Sequence, residues 1–446
     1  MARTIQMTKG PIARNMIFFI LPLIGSGLCQ QLYNTADFLF VSNLLGKTAA
    51  AAVGASSAIV TCTIGFFSGI AIGAEVVLAL AIGSGQGQKA DKAMHTALLF
   101  GALGGLVLMV TGILFAPRIL TLLDTPASIM EQAVLYIRIY FLSIPASILY
   151  NMCASAMRAC GDSSTPFRIL TVFGVVNVAG DTLLIAVVPL GVAGAAIATV
   201  FCYWCASALM LNALRSGFYK ITFSWKALRV DSNALFHIMR IGLPAGIQTI
   251  VTTLSNIVVQ YYINGFGELA VAAFSAYYKV ENFIYLPIMA FGQAATTFAS
   301  QNTGTKDFLR IRRGTAIAVG LGIAVTLSIS GCVLLFSETV IGWFMKDPET
   351  LSAAVLIAFV SYPFYWLYPV IEVLGGSLRG MGYAARSMVI VLFSLCGVRI
   401  VLLALFTKYF HTLHAVASIY PITWALAAIL FAVSFLLVIR KKTCSS

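Results

Sequence analysis

The stretch ALLFGALGGLVLMVTGILFA, residues 97–116, contains no charged side chain. A bilayer's hydrocarbon core is about 30 Å thick, and roughly 20 apolar residues of helix cross it. The stretch therefore reads as part of a transmembrane span. Working outward, apolar runs recur at about 15–43, 50–82, 93–116, 132–157, 165–188, 191–213, 234–264, 267–301, 314–336, 350–378, 384–408 and 414–438. Turns such as Pro189-Leu190-Gly191 and the polar stretches 83–92 and 304–313 separate them. Hydrophobic residues make up 60% of the 446-residue chain and charged residues only 10%, a balance that lipid-facing helices need and soluble cores do not. Twelve spans leave short loops and no room for a soluble domain. The expected fold class is all-α integral membrane, with twelve transmembrane helices.

The net charge of +13 could suggest a nucleic-acid partner, but its placement points to topology instead. Twelve spans put both termini on one side. The termini and even-numbered connections hold 21 Lys and Arg, from Arg3 through Lys220 to Lys442, against Lys47, Arg118, Lys346 and Lys408 on the other side. Basic loops stay cytoplasmic, so both termini are expected in the cytoplasm, with the chain multi-pass in a bacterial inner membrane. No nucleic-acid partner is expected. The first run lacks a convincing cleavage site and reads as a retained span. Nine cysteines are scattered, mostly within apolar runs. Cys202 and Cys205 have CxxC spacing but are flanked by Tyr203, Trp204 and Ala206, which favours apolar filler over redox or metal chemistry.

The chain repeats itself. Ile20-Leu21-Pro22-Leu23 has a counterpart in Ile241-Gly242-Leu243-Pro244, and Leu142-Ser143-Ile144-Pro145 in Val360-Ser361-Tyr362-Pro363. The connections starting at Gly83 and Ser300 correspond, as do those around Arg158-Ala159-Cys160-Gly161 and Arg379-Gly380-Met381-Gly382. The offset stays near 220 residues. Six spans per repeat start both on the same side, a parallel repeat of the kind transporters use. The expected organisation is two pseudo-symmetric six-helix lobes, 1–218 and 234–446, joined by a cytoplasmic linker at 219–233.

Five acidic residues lie within apolar runs: Asp37, Glu75, Asp181, Glu281 and Glu372. One uncompensated charge at a helix centre costs about 2.5–3.5 kcal/mol, so five would cost on the order of 12 kcal/mol. Such residues are usually kept for ion, proton or substrate handling. In the first half, Gln30, Tyr33 and Asp37 share a face of span 1, at spacings of three and four. Asn177 and Asp181 do so on span 5, and Ala195 and Thr199 on span 6. Span 4 adds Tyr136 and Asn151. Two carboxylates, a carboxamide, a hydroxyl and the Ala195 carbonyl form an oxygen-rich set suited to a hard cation or a shared proton. Hydrogen bonds tying helices together are the other role open to these groups. Pro22 lets span 1 bend, as passive kink or as gate. In the second half, Lys279 and Glu281 point to different faces. Glu281 and Glu372 stand between substrate contact and structural pairing, whereas Arg138 and Arg399 are expected in structural ion pairs. Glu75, about two turns from the end of span 2, is given no functional part.

Asn34-Thr-Ala-Asp-Phe-Leu-Phe-Val41, Met157-Arg-Ala-Cys-Gly-Asp162 with Thr165-Pro166, Asn177-Val-Ala-Gly-Asp-Thr-Leu-Leu-Ile185, and Pro287 to Gly304 resemble, in this order, motifs of the multidrug and toxic compound extrusion (MATE) family. The resemblance covers essentially the whole chain. It implies two six-helix lobes, rocker-switch alternating access, and antiport of organic cations against Na⁺ or H⁺. Asp37, Asn177, Asp181 and Thr199 match the N-lobe cation site of the family's DinF-type branch. Pro22, Gln30, Tyr33, Tyr136 and Asn151 match that branch's bending proline and polar cavity. The chain departs from the NorM-type branch: Thr252 and Tyr368 stand where that branch carries carboxylates, with Glu372 one turn beyond Tyr368.

The expected function is therefore secondary active export of amphipathic cationic drugs, without a cofactor beyond the coupling ion, Na⁺ or H⁺. The partners expected are small organic cations and membrane lipids, and a monomer is expected. The rival of nearest layout is a lipid-linked saccharide flippase, which would grip pyrophosphate with several intramembrane Arg. Here five carboxylates outnumber Arg138, Lys279 and Arg399 within the spans. An intramembrane enzyme is not expected, since His95, His237, His411 and His414 lie at or near span ends without metal spacing. A passive channel would show uncoupled flux.

Overall fold

The computed structural model describes residues 4–216, 219, 221–410 and 412–444; Arg3, Lys220 and His411 fall outside them. Twelve helical spans follow in order. They are α1 (Ile12–Phe40), running into a π-helical turn (Val41–Leu45), α2 (Lys47–Gly83) and α3 (Gly87–Leu122). Next come α4 in two pieces (Ala127–Phe141 and Ile144–Ala159), α5 (Ser164–Asp181) with a π turn (Thr182–Val187), and α6 (Val192–Arg215). The second half holds α7 (Ser232–Asn264), α8 (Glu268–Gly304), α9 (Phe308–Leu335) and α10 in two pieces (Pro348–Ser361 and Leu367–Gly380). It ends with α11 (Ala384–Val391 and Arg399–Tyr409, joined by the π stretch Leu392–Val398) and α12 (Leu413–Thr443). No strand occurs among the described residues.

Nine of these helices are long and apolar enough to cross a membrane alone, and the bent spans α4 and α10 bring the number to 11. α8 supplies the twelfth: its 37 residues reach about 55 Å at 1.5 Å each. Lys279, Glu281, Gln293 and a run of Thr and Ser make it the most polar. The bends of 44° in α4 and 51° in α10 fall at the repeated Ser-Ile-Pro145 and Ser-Tyr-Pro363. Proline lacks the N–H and clashes with the carbonyl four residues back, so both spans break there.

The repeat recurs in the backbone. Left-handed residues pair up 221 positions apart: Gly46 with Gly267, Gly85 with Lys306, and Gly161 with Gly382. A positive φ is free for Gly, while for Lys306 it costs roughly 1–2 kcal/mol.

The chain forms two compact units, 1–6 with 21–246 and 7–20 with 247–446. The first is built around Phe67, Ile70, Met94, Ile148 and Met152. The second is built around Phe274, Tyr277, Tyr362, Trp424 and Phe431. Leu106, Val107, Leu114, Phe393, Leu436 and Leu437 are exposed, as helices in lipid require.

Small residues set the closest helix crossings. In the first unit, a Cβ on Gly69 would lie 2.2 Å from Gly246 N, and one on Gly73 2.4 Å from Ile238 O, so α2 and α7 touch backbone to backbone. In the second, a Cβ on Gly376 of α10 would lie 2.3 Å from Gly292 O of α8. Gly376→Val should therefore wedge α8 from α10, costing at least the 1–3 kcal/mol or so of an overpacked core. Thermal melting of the purified protein should drop by several degrees, whereas Gly320→Val, which has nothing within 4 Å of its Cβ, should leave it unchanged. Equal melting of the two variants would contradict this packing.

Candidate cation site

Two helix irregularities build the site. The π turn of α1 begins four residues after Asp37, and that of α5 begins directly after Asp181. A π turn inserts a residue into the ladder and re-aims the side chains beside it, commonly at functional positions. The two π turns pack on each other, within a cluster of Val41, Ala49, Ile185, Val192 and Ala195 against which Phe40 and Tyr136 rest. Gly180 lets α6 close on α5, its notional Cβ being 3.1 Å from that of Ala198.

These contacts bring Asp37 of α1 and Asp181 of α5 within reach of each other, with Tyr136 near enough to feel both charges. Asp181 is fully buried, and Asn177, Ala195 and Thr199 nearly so. Among the described residues no hydrogen-bond partner meets Asp37 Oδ1, either Asp181 oxygen, or either polar side-chain atom of Asn177. Neither aspartate belongs to an ion pair there. An unmet buried polar group costs about 1–3 kcal/mol and a charged one more. Two such carboxylates hold their charge together only if a cation, or a proton shared between them, sits at the site. The Thr199 hydroxyl donates to Ala195 O at 3.1 Å, which engages that carbonyl and leaves the lone pairs of Oγ1 to accept or coordinate.

Beside these groups lies a cavity of about 30 Å³ lined by Tyr33, Asn177, Thr199, Cys202 and Tyr203, room for about two waters. Among the described residues no three His, Cys, Asp or Glu converge. Carboxylate, carboxamide and hydroxyl oxygens are donors for a hard ion. Tyr33 and Tyr203 share a hydrogen bond at 3.1 Å. Tyr203 was not expected at the site from sequence, although its place one turn after Thr199 on the same face of α6 was a usable signal.

Other expected residues stand apart. Gln30 is exposed on α1, and Asn151 donates to Ser147 O of its own helix at 2.9 Å; neither bonds a carboxylate. α1 continues through Pro22, whose carbonyl accepts from the Ser26 hydroxyl at 2.9 Å. In the second unit Glu281 accepts from Tyr277 at 3.3 Å and Tyr365 at 3.1 Å. Glu372 pairs with Arg379 at 3.7 Å. The ion pairs expected of Arg399 and Arg138 are not made among the described residues. Arg399 donates to Thr423 at 3.3 Å and lies over the Tyr420 ring, and Arg138 donates to Ile113 O at 3.3 Å. A hydroxyl and a ring face thus stand in for a carboxylate at Arg399, whose buried Nε meets no partner among the described residues, and a carbonyl does so at Arg138. Glu75, given no role, is buried and bonded to Arg158 at 2.8 Å. Cys202 and Cys205 are free thiols.

Comparison with known proteins agrees with this architecture. The MatE family model matches residues 22–183 and again 244–405, one copy in each sequence repeat. The chain is 28% identical to "Probable multidrug resistance protein YoeA" of Bacillus subtilis (strain 168), over 98% of this chain and 96% of that protein. It is 24% identical to the "FAD transporter" of Shewanella oneidensis, over 78% and 77%. The fold matches a solved structure described as the "Outward-facing conformation of a multidrug resistance MATE family transporter of the MOP superfamily" with a TM-score of 0.94, 19% identity and 99% of each chain covered. A MOP superfamily transporter from Pyrococcus furiosus matches with a TM-score of 0.93, again at 19% identity and 99% coverage of each chain. With two helical repeats and a family model matched once in each, the chain belongs to the MatE family of membrane transporters.

Proposed function

We propose that the chain is a secondary active antiporter that exports amphipathic cationic drugs or toxins in exchange for Na⁺ or H⁺. The observation that carries the reading is the pair of aspartates, half-buried Asp37 and buried Asp181, with no basic partner to balance them among the described residues. A coupling ion at this pair, helped by Asn177, Thr199 and Tyr136, removes the repulsion between α1 and α5 and so favours one lobe arrangement over the other. The six-span lobes 1–218 and 234–446 then rock about the 219–233 linker. Both termini lie in the cytoplasm in this reading, and the protein works as a monomer. Glu281 and Glu372 keep internal partners, which favours a structural part for them.

The relatives named as multidrug resistance proteins support the cargo class, as do the carboxylates of Asp37 and Asp181, which no base neutralises among the described residues. Exchange of one coupling ion for one monovalent drug cation moves no net charge, so the ion's own concentration gradient drives it, at about 1.4 kcal/mol per factor of ten. Each further inward ion would add about 2.3 kcal/mol per 100 mV of membrane potential.

The test is uptake of a fluorescent lipophilic cation into inside-out vesicles, under a sodium gradient and a pH gradient imposed separately. One of the two should drive accumulation against the concentration gradient. Accumulation that responds to neither would end the antiport reading.

A further inference from the structure

On the same unit, a run of bonds ties the α6–α7 connection to α3. Asp91, His95 and Thr96 share the first turns of α3. Asp91 Oδ1 accepts from Thr222 N–H at 3.2 Å, His95 Nε2 from Ser224 N–H at 3.1 Å, and Thr96 Oγ1 from Asp231 N–H at 3.0 Å. Thr96 also donates to Arg229 O at 3.5 Å. Phe223 stacks on the His95 ring at 5.7 Å between centroids, and Trp225 meets Phe223 edge-on at 4.9 Å. His95 is only 3% exposed. The imidazole is thus largely shielded, while the Ser224 end of its bond is exposed.

The partners dictate the tautomer. A backbone N–H only donates, so the nitrogen facing Ser224 must carry a lone pair. The Asp91 carbonyl, 2.8 Å from Nδ1, only accepts, so Nδ1 holds the single ring proton. Both bonds therefore exist together only while the imidazole is neutral. A second proton would sit on Nε2 and face the Ser224 N–H, donor against donor.

We propose that the connection 222–231 is a pH-released latch, closed on α3 while His95 is neutral and opened when His95 takes up a proton. The sign follows from linkage: the closed state binds one proton fewer, so closure is complete at higher pH and is lost as pH falls. The other charged groups lining the same cavity of about 610 Å³ are Asp91, Lys92, Lys226, Arg229 and Asp231. Lys92 and Asp231 pair at 3.8 Å. The Ala234 N–H, with Lys92 behind it, holds the Asp231 carboxyl below the usual carboxylate range. Of these groups, His95 is the one that forfeits its bond to the connection by gaining a proton, because that proton would sit on Nε2 against the Ser224 N–H. What it releases matters because α7 begins at Ser232, directly after the latched segment, and its first half belongs to the same compact unit as α3.

Hydrogen exchange read by mass spectrometry, on the whole protein in nanodiscs and corrected for intrinsic rates, tests the latch without any transport assay. Its outcome is therefore independent of the antiport reading. Between pH 7.5 and pH 5.5, which bracket imidazole titration, amides 222–226 should lose protection by about tenfold or more. His95→Gln offers an amide oxygen that accepts without titrating, and should keep protection at both pH values. His95→Ala should lose it at both. Wild-type protection unchanged between the two pH values, or protection in His95→Gln lost to the wild-type extent, would overturn the latch.

Discussion

Asp37→Asn and Asp181→Asn should each abolish ion-driven export while leaving the protein inserted and folded. Asparagine keeps the shape and volume of aspartate, so the packing of α1 on α5 survives. Each substitution removes one of the two charges that make the site attractive to a cation, and beyond the other aspartate neither has a protein partner among the described residues that the change would orphan. The uphill drug gradient that coupling to the ion gradient sustains should collapse to equilibration. Residues that act as one unit are non-additive, so the double variant should export no worse than either single one. Growth of a sensitive host at raised drug concentration reads the loss in cells, and dye accumulation in vesicles reads it directly. Uphill export by both single variants would remove the coupling role from this pair. A variant missing from the membrane would instead expose a structural role, so the amount of inserted protein must be measured alongside.

The second large effect concerns stability. Glu75→Ala should destabilise the protein strongly, because it leaves the Arg158 guanidinium charged and without its carboxylate. The side chains of Glu75 and Arg158 are only 3% and 14% exposed. Arg158 is also held by Ser155 Oγ at 2.7 Å, so it cannot swing out freely to water. Removing one member of a buried pair typically costs about 3–5 kcal/mol, whereas replacing both by apolar residues is often neutral. Glu75→Leu combined with Arg158→Met should therefore melt closer to wild type than Glu75→Ala does. The pair joins α2 to the end of α4, just before the turn where buried Asp162 caps α5. That carboxylate accepts from Ser164 N–H at 2.8 Å, Thr165 N–H at 3.0 Å and the Tyr219 hydroxyl at 2.8 Å. A melting temperature for Glu75→Ala equal to wild type would show the pair to be of no consequence for stability.

Much of this molecule is written in local pattern. Span length, turn glycines and the 221-residue repeat are properties of contiguous chain, because a helix in lipid must satisfy its own backbone. The faces carrying Asp37, Asn177 with Asp181, and Ala195 with Thr199 are likewise legible, since positions four apart lie on one side of a helix. The prolines at 145 and 363 mark where α4 and α10 break. Each helix's apolar or polar character, and each face's chemistry, follow from sequence alone.

Whether those faces meet is another matter. Asp37 and Asp181 are separated by most of a lobe's worth of chain, and only the packing of α1, α5 and α6 brings them together. The π turns beside them arise from that packing and leave no residue signature. For the same reason Glu75 found Arg158 across 83 residues, while Arg399 found a hydroxyl and a ring instead of the acid expected for it. Sequence determined which side chains each helix offers and on which face, because those depend on nearest neighbours in the chain. Tertiary structure alone decided which of them are left buried without a partner, because that depends on what the neighbouring helices bring.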